Sequence, residues 1–464
     1  MNKRPRVYRE GLNDTHPERY SEGLKSLASY GKSVETDSKP QFRAGVNTGA
    51  NVASALKRAP FLQGVLASLP ALDPFFRAGL FFLLLWAPSS TSHPSLVLST
   101  PASAGFPETF PADLDRALQE ATDRGATAGA EGLVLVGNKI VYHNAKGFLK
   151  KTPNEVPLRK DAVFDLASLT KVVVTTTSVM ILVERGKIDL DEPVHTYLPE
   201  FTGFGKDAIT VRQLLTHSSG LGNMSGVYFL KPGKRGYQEF VWRIGLANEP
   251  GSERVYSDLG LTIAGWLVER VSGRPLDEFA EKEIFKPLGM KQTFFLPPLS
   301  KRWRCAATEK CPWRGRVLQG EVHDENAFAM GGVAGQAGLF STAKDLALFC
   351  RMMLNGGSYD RGRILHPETV REMTRPQPLA DYNRQGLGWW IQEEMGQKPG
   401  WLLSGKSYGH TGFTGTSLWL DPENDVAAIL LMNAIHPNRQ DADRTFLRQR
   451  FHEIIVEALV SRDR

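Results

Sequence analysis

The chain has 464 residues, of which 41% are hydrophobic and 23% charged, an ordinary globular composition with enough apolar residues for a large core. Its 56 basic and 50 acidic residues leave a formal charge of +6, with no long single-sign run in the body of the chain, which excludes a nucleic-acid footprint. Three cysteines, Cys305, Cys311 and Cys350, form no Cys-x-x-Cys pair and so no structural zinc site; Cys305 and Cys311 could close a small disulfide loop in an exported domain, leaving Cys350 buried and free.

From the N-terminus, residues 1–60 are rich in Gly, Ser, Lys and Arg and show no sustained apolar period, the pattern of a disordered segment. Arg77 then precedes an apolar run from Ala78 to Ala87. A membrane-spanning helix needs ~20 such residues, whereas the core of a secretory signal is about this short. Ala102-Ser103-Ala104 is a small-x-small cleavage candidate, some way downstream of the run. Residues 77–104 therefore read as a signal peptide, or as an uncleaved signal anchor tethered to the membrane through 77–90. Residues 1–76 read as a polar tail or the result of a start set too far upstream. Both versions imply export, to the periplasm or the cell exterior; a buried helix of the folded domain is the competing reading. No Cys precedes Cys305, which excludes a lipoprotein anchor.

Residues 105–464 read as one mixed α/β unit. The stretch "EGLVLVGNKIVYHNAKGF" alternates around Gly137-Asn138 as a β-hairpin does, and "TSLWLDPENDVAAILLMNA" is two apolar strands around a Pro-Glu-Asn-Asp turn. A closing helix follows, with Phe446, Phe451, Ile454, Ile455 and Leu459 on one face. Between these ends, "SDLGLTIAGWLVERVSG", "PLDEFAEKEIFKPLGM", "STAKDLALFCRMMLNGG" and "HPETVREMTR" have helical spacing with Gly and Pro stops. The pattern predicts an α/β (α+β) fold: an antiparallel sheet built from both chain ends, flanked by helices, with a mostly helical inserted region. One stretch is conflicted. Val172 to Thr177 is β-branched and favours a strand locally, but its length up to Gly186 argues for a buried helix.

That helix carries Ser168 and Lys171 at its start. At i and i+3 the two share a face, so the amine can approach the hydroxyl. A serine hydroxyl needs a base to become a nucleophile, and a lysine serves as one when burial or nearby positive charge lowers its pKa. Ser-x-x-Lys also occurs at Ser29/Lys32, Ser54/Lys57 and Ser341/Lys344; the first two lie in the polar tail, and Thr342-x-x-Asp345 reads as a helix capping box. Two later features single out Ser168: Tyr256-Ser257-Asp258 where a helix begins, and His410-Thr411-Gly412 just before the terminal hairpin. Tyr142-His143-Asn144 matches the Tyr-x-Asn/Asp pattern by chance inside the first hairpin. His217, before Ser218-Ser219-Gly220, reads as a structural residue at a helix end. His323, Asp324 and Glu325 invite a metal reading, but adjacent strand residues point to opposite faces and cannot converge, so no metal is expected.

The order Ser-x-x-Lys, Tyr-x-Asn/Asp, Lys/His-Thr-Gly resembles the penicillin-recognising serine hydrolases, and within them the class C β-lactamase, D,D-peptidase and esterase family. The resemblance runs from about Glu131 to Ala434 and takes in "LLTHSSGL", similar to a Leu-Leu-x-His-Thr-Ser-Gly block of that family. "GEVHDENAFAMGGVAGQAGLFSTAKDL" is similar to a block of one exported subgroup, in which the position of Gln336 is often His. The resemblance implies a β-lactamase/transpeptidase-like fold and an acyl-enzyme on Ser168, with Lys171 and Tyr256 sharing the base role. It places the oxyanion hole at the backbone N–H groups of Ser168 and Phe413, and substrate contacts at Asp258, His410, Thr411 and Gly412, with no cofactor. Asp258 stands where many such enzymes have Asn, and an ionised Asp only accepts hydrogen bonds, which weakens the case for an efficient β-lactamase. His410 replaces a common Lys and attracts a substrate carboxylate less. The implied substrate is a small molecule or cell-wall peptide: a D-amino-acid peptide, a β-lactam or a small ester. The alternative is a penicillin-binding sensor that acylates with little turnover.

Overall fold

The computed structural model describes residues 95–223, 226–230, 233–378, 385–392 and 404–462; the apolar run 78–87 and the polar tail lie outside them. The elements that position the site are helix α1 (Phe110–Asp123), strands β1 (Gly129–Val136) and β2 (Lys139–Lys150), helices α2 (Thr177–Glu184), α3 (Asp258–Ser272) and α4 (Ala343–Leu354), strands β3 (Tyr408–Thr411), β4 (Ser417–Asp421) and β5 (Val426–Met432), and helix α5 (Arg444–Arg462).

Both hairpins form where their alternation places them. Gly137 takes φ 57° at the β1–β2 turn, a conformation open to glycine. At the β4–β5 turn the Asp421 carboxylate accepts from the Glu423 and Asn424 amides at 3.0 and 3.2 Å. The sheet order is β2-β1-β5-β4-β3, antiparallel throughout, so the first and last segments of the domain meet at its centre, with Leu133 opposite Ile429. Trp390–Ile391 extends it beyond β3, and Val97–Leu98 pairs with β2 in parallel, a two-residue departure from the antiparallel expectation.

Strand β5 is buried on both faces, which explains its unbroken apolar run. Val426, Ala428 and Leu430 pack with Val134 against Leu114 and Leu118 of α1 and Phe451 and Ile455 of α5. Ala427, Ile429 and Leu431 join the larger core on the other face, which holds α2, α3 and α4. Of the apolar residues placed on one face of the closing helix, Phe446 is only partly buried, its ring 4.2 Å from the Arg124 guanidinium carbon.

The β-branched run resolves as helix. Residues Lys171–Thr176 form a π-helical stretch that runs into α2, with every side chain buried, so tertiary burial overrides strand propensity. Wide helical turns of this kind concentrate at functional sites, and this one carries Lys171. Thr342 caps α4 by accepting from the Asp345 amide at 3.2 Å. The reciprocal half of the expected capping box is absent: the Asp345 carboxylate accepts from the Gln292 amide and the Thr293 hydroxyl instead.

The disulfide that Cys305 and Cys311 could have closed does not form. All three cysteines are buried and free. The chain from Cys305 to Cys311 is pinned along its length, Ala306 to Val163, Ala307 to Leu149 and Lys310 to Pro437, which keeps the two thiols apart.

Candidate active site

Two segments some 250 residues apart are stitched together around Ser168. The Thr414 hydroxyl donates to the Asp165 carbonyl at 2.7 Å, and the Thr416 hydroxyl to the Leu166 carbonyl at 3.0 Å. Gly412 makes this approach sterically feasible: a Cβ there would lie 2.2 Å from Thr416 Oγ1 and 2.4 Å from the Leu166 carbonyl oxygen. Ala167, immediately before the serine, is held at φ 46°, a strained conformation for a residue with a side chain. The buried Asp165 carboxylate supports it, accepting from the Ala167 amide at 2.9 Å and the His323 amide at 2.7 Å.

Lys171 is fully buried and its Nζ donates to Ser168 Oγ at 2.9 Å and to the Gln336 carbonyl at 3.0 Å. The Asp258 carboxylate lies 2.7 Å from the same nitrogen. Tyr256 faces the pair, its ring centroid 5.1 Å from Nζ, and its phenol interacts with both the amine and the serine hydroxyl. The structure thus brings together Ser168, Lys171, Tyr256 and Asp258, and gives Asp258 a place beside the amine that sequence reasoning did not assign.

That placement reverses one expectation. Burial does depress the Lys171 pKa, but Asp258 and Tyr256 outweigh it and hold the pKa above the ordinary lysine range. The resting amine is an ammonium. Burial likewise raises the Tyr256 pKa, only partly offset by Lys171, so the phenol is neutral. Behind Asp258, burial and then the Asp258 charge push the Asp324 carboxyl up to about 6.

His217, read from the sequence as structural, touches the Tyr256 ring and holds the backbone on either side of it. Its ring lies 4.6 Å from the tyrosine ring, its Nδ1 accepts from the Ser257 amide at 3.2 Å, and its carbonyl accepts from the Val255 amide at 2.9 Å. Burial, then Arg254 and Lys171, drive its pKa well down. Gln336 ties the amine to its surroundings: its carbonyl meets Lys171, its side-chain oxygen accepts from Thr262 of α3 at 2.7 Å, and its amide nitrogen reaches Asp324 at 3.4 Å. The sequence flagged both blocks but could not show what either residue touches.

His410 sits on β3, its ring 6.2 Å from that of Tyr256 and 4.6 Å from that of Trp390. Its Nδ1–H donates to the Thr411 carbonyl at 2.7 Å, and its side chain is 1% exposed. Burial and the Lys171 charge push its pKa down to about 3, so it is a neutral wall of the site. Thr411 is half-buried, Gly412 buried, and Phe413 40% exposed.

The other sequence matches go elsewhere. Tyr142 and Asn144 both donate to Asp115 on α1. Ser341 faces Thr293 at 2.7 Å. His323 pairs with Glu309, Asp324 caps a short helix, and Glu325 pairs with Arg439; among the described residues no cluster of His, Cys, Asp and Glu is gathered as a metal would need.

A mixed sheet with this helical insertion, carrying Ser168, Lys171 and Tyr256 at one point, is the architecture of a serine hydrolase. The family model described as Beta-lactamase matches residues 114–452, and the chain belongs to that family. A relative from Salmonella enteritidis PT4 named a D-alanyl-D-alanine carboxypeptidase is 35% identical over 384 residues, covering 75% of this chain and 88% of its own. A penicillin-binding protein homologue from Caulobacter crescentus superposes with a TM-score of 0.62 at 21% identity, over 76% of this chain and 98% of its own. A family VIII carboxylesterase gives 0.61 at 21% identity, over 75% and 97%. The fold and the family are those the motif order implied.

Proposed function

We propose that this chain is an exported serine hydrolase that forms an acyl-enzyme on Ser168 and hydrolyses an amide or ester, with a D-amino-acid peptide, a β-lactam or a small ester as substrate. The observation that carries the reading is the convergence on one buried nitrogen: Ser168 Oγ at 2.9 Å, Asp258 at 2.7 Å, and the Tyr256 phenol alongside. The reaction starts from the ion pair. Lys171 Nζ first gives one proton to solvent, leaving a neutral amine beside the Asp258 carboxylate. That amine takes the Ser168 proton as Oγ bonds to the substrate carbonyl carbon, and the negative charge passes to the carbonyl oxygen. The backbone N–H groups of Ser168 and Phe413 receive that oxyanion, a contribution typically worth about 3 kcal/mol per donor. As the tetrahedral adduct collapses, Tyr256 relays the proton on Lys171 to the leaving group. Water, its proton passing through Tyr256 to the now neutral Lys171, attacks the acyl carbonyl carbon; collapse breaks the bond to Ser168 Oγ, which takes that proton back from Lys171.

The penicillin-binding sensor is a second reading, favoured by the charged resting state of Lys171, which slows both steps that need a neutral amine. Mass spectrometry after exposure to cell-wall peptides, β-lactams and esters tests both. An acyl adduct on Ser168 that turns over supports the hydrolase, and stoichiometric labelling without turnover supports the sensor. Activity unchanged in Ser168→Ala would remove both.

A further inference from the structure

The oxyanion donor at Phe413 belongs to a peptide unit whose other end is the Gly412 carbonyl. Arg448, on α5 and 8% exposed, donates from one terminal nitrogen to that carbonyl at 2.8 Å and to the Thr416 carbonyl at 2.9 Å. The Gly415 amide donates to the same Gly412 oxygen at 3.0 Å, and the Gly412 amide to Thr416 at 2.7 Å, so the turn after β3 closes around the guanidinium. We propose that Arg448 is a positioning residue for the reaction: its guanidinium, on the carbonyl of the Gly412–Phe413 peptide, polarises that peptide so its N–H becomes a stronger donor to the oxyanion. The proposal rests on the reading of Phe413 N–H as an oxyanion donor.

Three physical points support it. A charged donor makes a hydrogen bond roughly twice as strong as a neutral one. Bonds in a chain polarise one another, by about 10–30% each in condensed phase, and here the chain would run guanidinium, carbonyl, N–H, oxyanion. The guanidinium is buried, so solvent screens its field little. Arg444, on the same helix, holds the neighbouring unit differently, donating to the Phe413 carbonyl at 2.9 Å with its guanidinium carbon 4.5 Å from the ring centroid. That peptide's N–H belongs to Thr414, so Arg444 fixes the exposed phenyl and leaves the polarising role to Arg448.

A merely structural role would be met by any donor that holds the turn, whereas polarisation needs the charge. Arg448→Met, Arg448→Gln and Arg448→Lys, made in the full chain, separate the two. With 4-nitrophenyl esters, Arg448→Met and Arg448→Gln should lower kcat roughly tenfold and leave KM within about twofold, less than the ~100-fold of losing a donor outright. Arg448→Lys should recover most of kcat. In the acyl-enzyme trapped with 4-nitrophenyl pivalate, the ester carbonyl stretch should move to higher wavenumber in the Gln variant and stay near wild type in the Lys variant. Equal kcat for the Gln and Lys variants, or an unmoved stretch, overturns the proposal. Should Arg448→Met fail to fold, the Gln and Lys pair carries the comparison. Ester hydrolysis persisting in Ser168→Ala, or no pivalate adduct on the wild-type serine, would bring down the hydrolase reading beneath it instead.

Discussion

Asp258→Asn isolates what the ion pair does to the catalytic amine. At 2.7 Å the two charges attract by about 6 kcal/mol at an effective dielectric of roughly 20. The Asp258 side chain is 33% exposed, and screening at that exposure leaves roughly half, about 3 kcal/mol. That is about two units of lysine pKa. The sign follows from the balance at Nζ, where burial lowers the pKa and Asp258 is the main group raising it. With the carboxylate replaced by an amide, burial prevails and the amine is neutral at lower pH. Activity that needs a neutral Lys171 rises with pH through the lysine pKa, so the acid limb of kcat/KM should move about two units toward lower pH. The assay is the pH profile of a chromogenic ester from about pH 5 to about pH 11 for both proteins, in which wild-type kcat/KM should still be climbing at the alkaline end, above the ordinary lysine pKa of about 10.4, while the variant climbs earlier. A limb that stays in place, or moves to higher pH, refutes the claim that Asp258 sets the charge of the resting amine.

Three further outcomes follow from contacts elsewhere. Gly412→Ala should lower kcat by about 100-fold, because a Cβ 2.2 Å from Thr416 Oγ1 and 2.4 Å from the Leu166 carbonyl pries the β3 turn from the serine segment; steady-state kinetics beside a thermal melt would read it, and unchanged kcat would show the approach is not needed. Arg439→Met should destabilise the fold by about 3 kcal/mol near neutral pH, as Glu309 loses its guanidinium partner. Burial alone would raise the Glu309 pKa, but His323 and Arg439 hold it at about 2 against an ordinary 4.5, so this stability is present above about pH 4.5 and lost as pH falls toward 2; denaturant melts at several pH values should show the wild-type advantage vanish at the acid end. N-terminal sequencing of exported protein should find an end upstream of residue 95 if the pairing of Val97–Leu98 with β2, the bond from Ser95 to Asp360 at 2.8 Å and that from Lys139 to the Ser103 carbonyl belong to the mature protein; an end at 105 would support the cleavage after Ala104 instead.

What the sequence made legible was local or ordered. The alternation around Gly137-Asn138 and the turn at Pro422-Asp425 fixed both hairpins because strand faces repeat every second residue. The succession of Ser168, Tyr256 and His410 marked the site because three weak motifs rarely fall in order by chance. The environment of each side chain was not legible, since it comes from segments far along the chain. Lys171 was expected to be a depressed amine because burial can be guessed from an apolar run; the opposing carboxylate of Asp258 is 87 residues away and its direction depends on how α3 packs. His217 looked like a helix end, and is one, but its φ of 58° turns the ring onto Tyr256. Arg448 carried no motif at all, being one basic residue among several on α5.

The same environment bears on which substrate suits the site. Lys171 is neutralised by Asp258, and His410 is uncharged above about pH 3 and buried against Tyr256 and Trp390. Neither residue offers a free positive charge to a substrate carboxylate. Asp258, its charge already matched by Lys171, adds no net attraction either, and when ionised it cannot donate to a substrate amide carbonyl as an asparagine would. These three residues therefore give a substrate carboxylate no net electrostatic advantage over a neutral group. A carboxylate-bearing peptide would have to find its attraction elsewhere in the site, and Asp258→Asn, which removes the carboxylate and leaves the amine neutral, would not supply it.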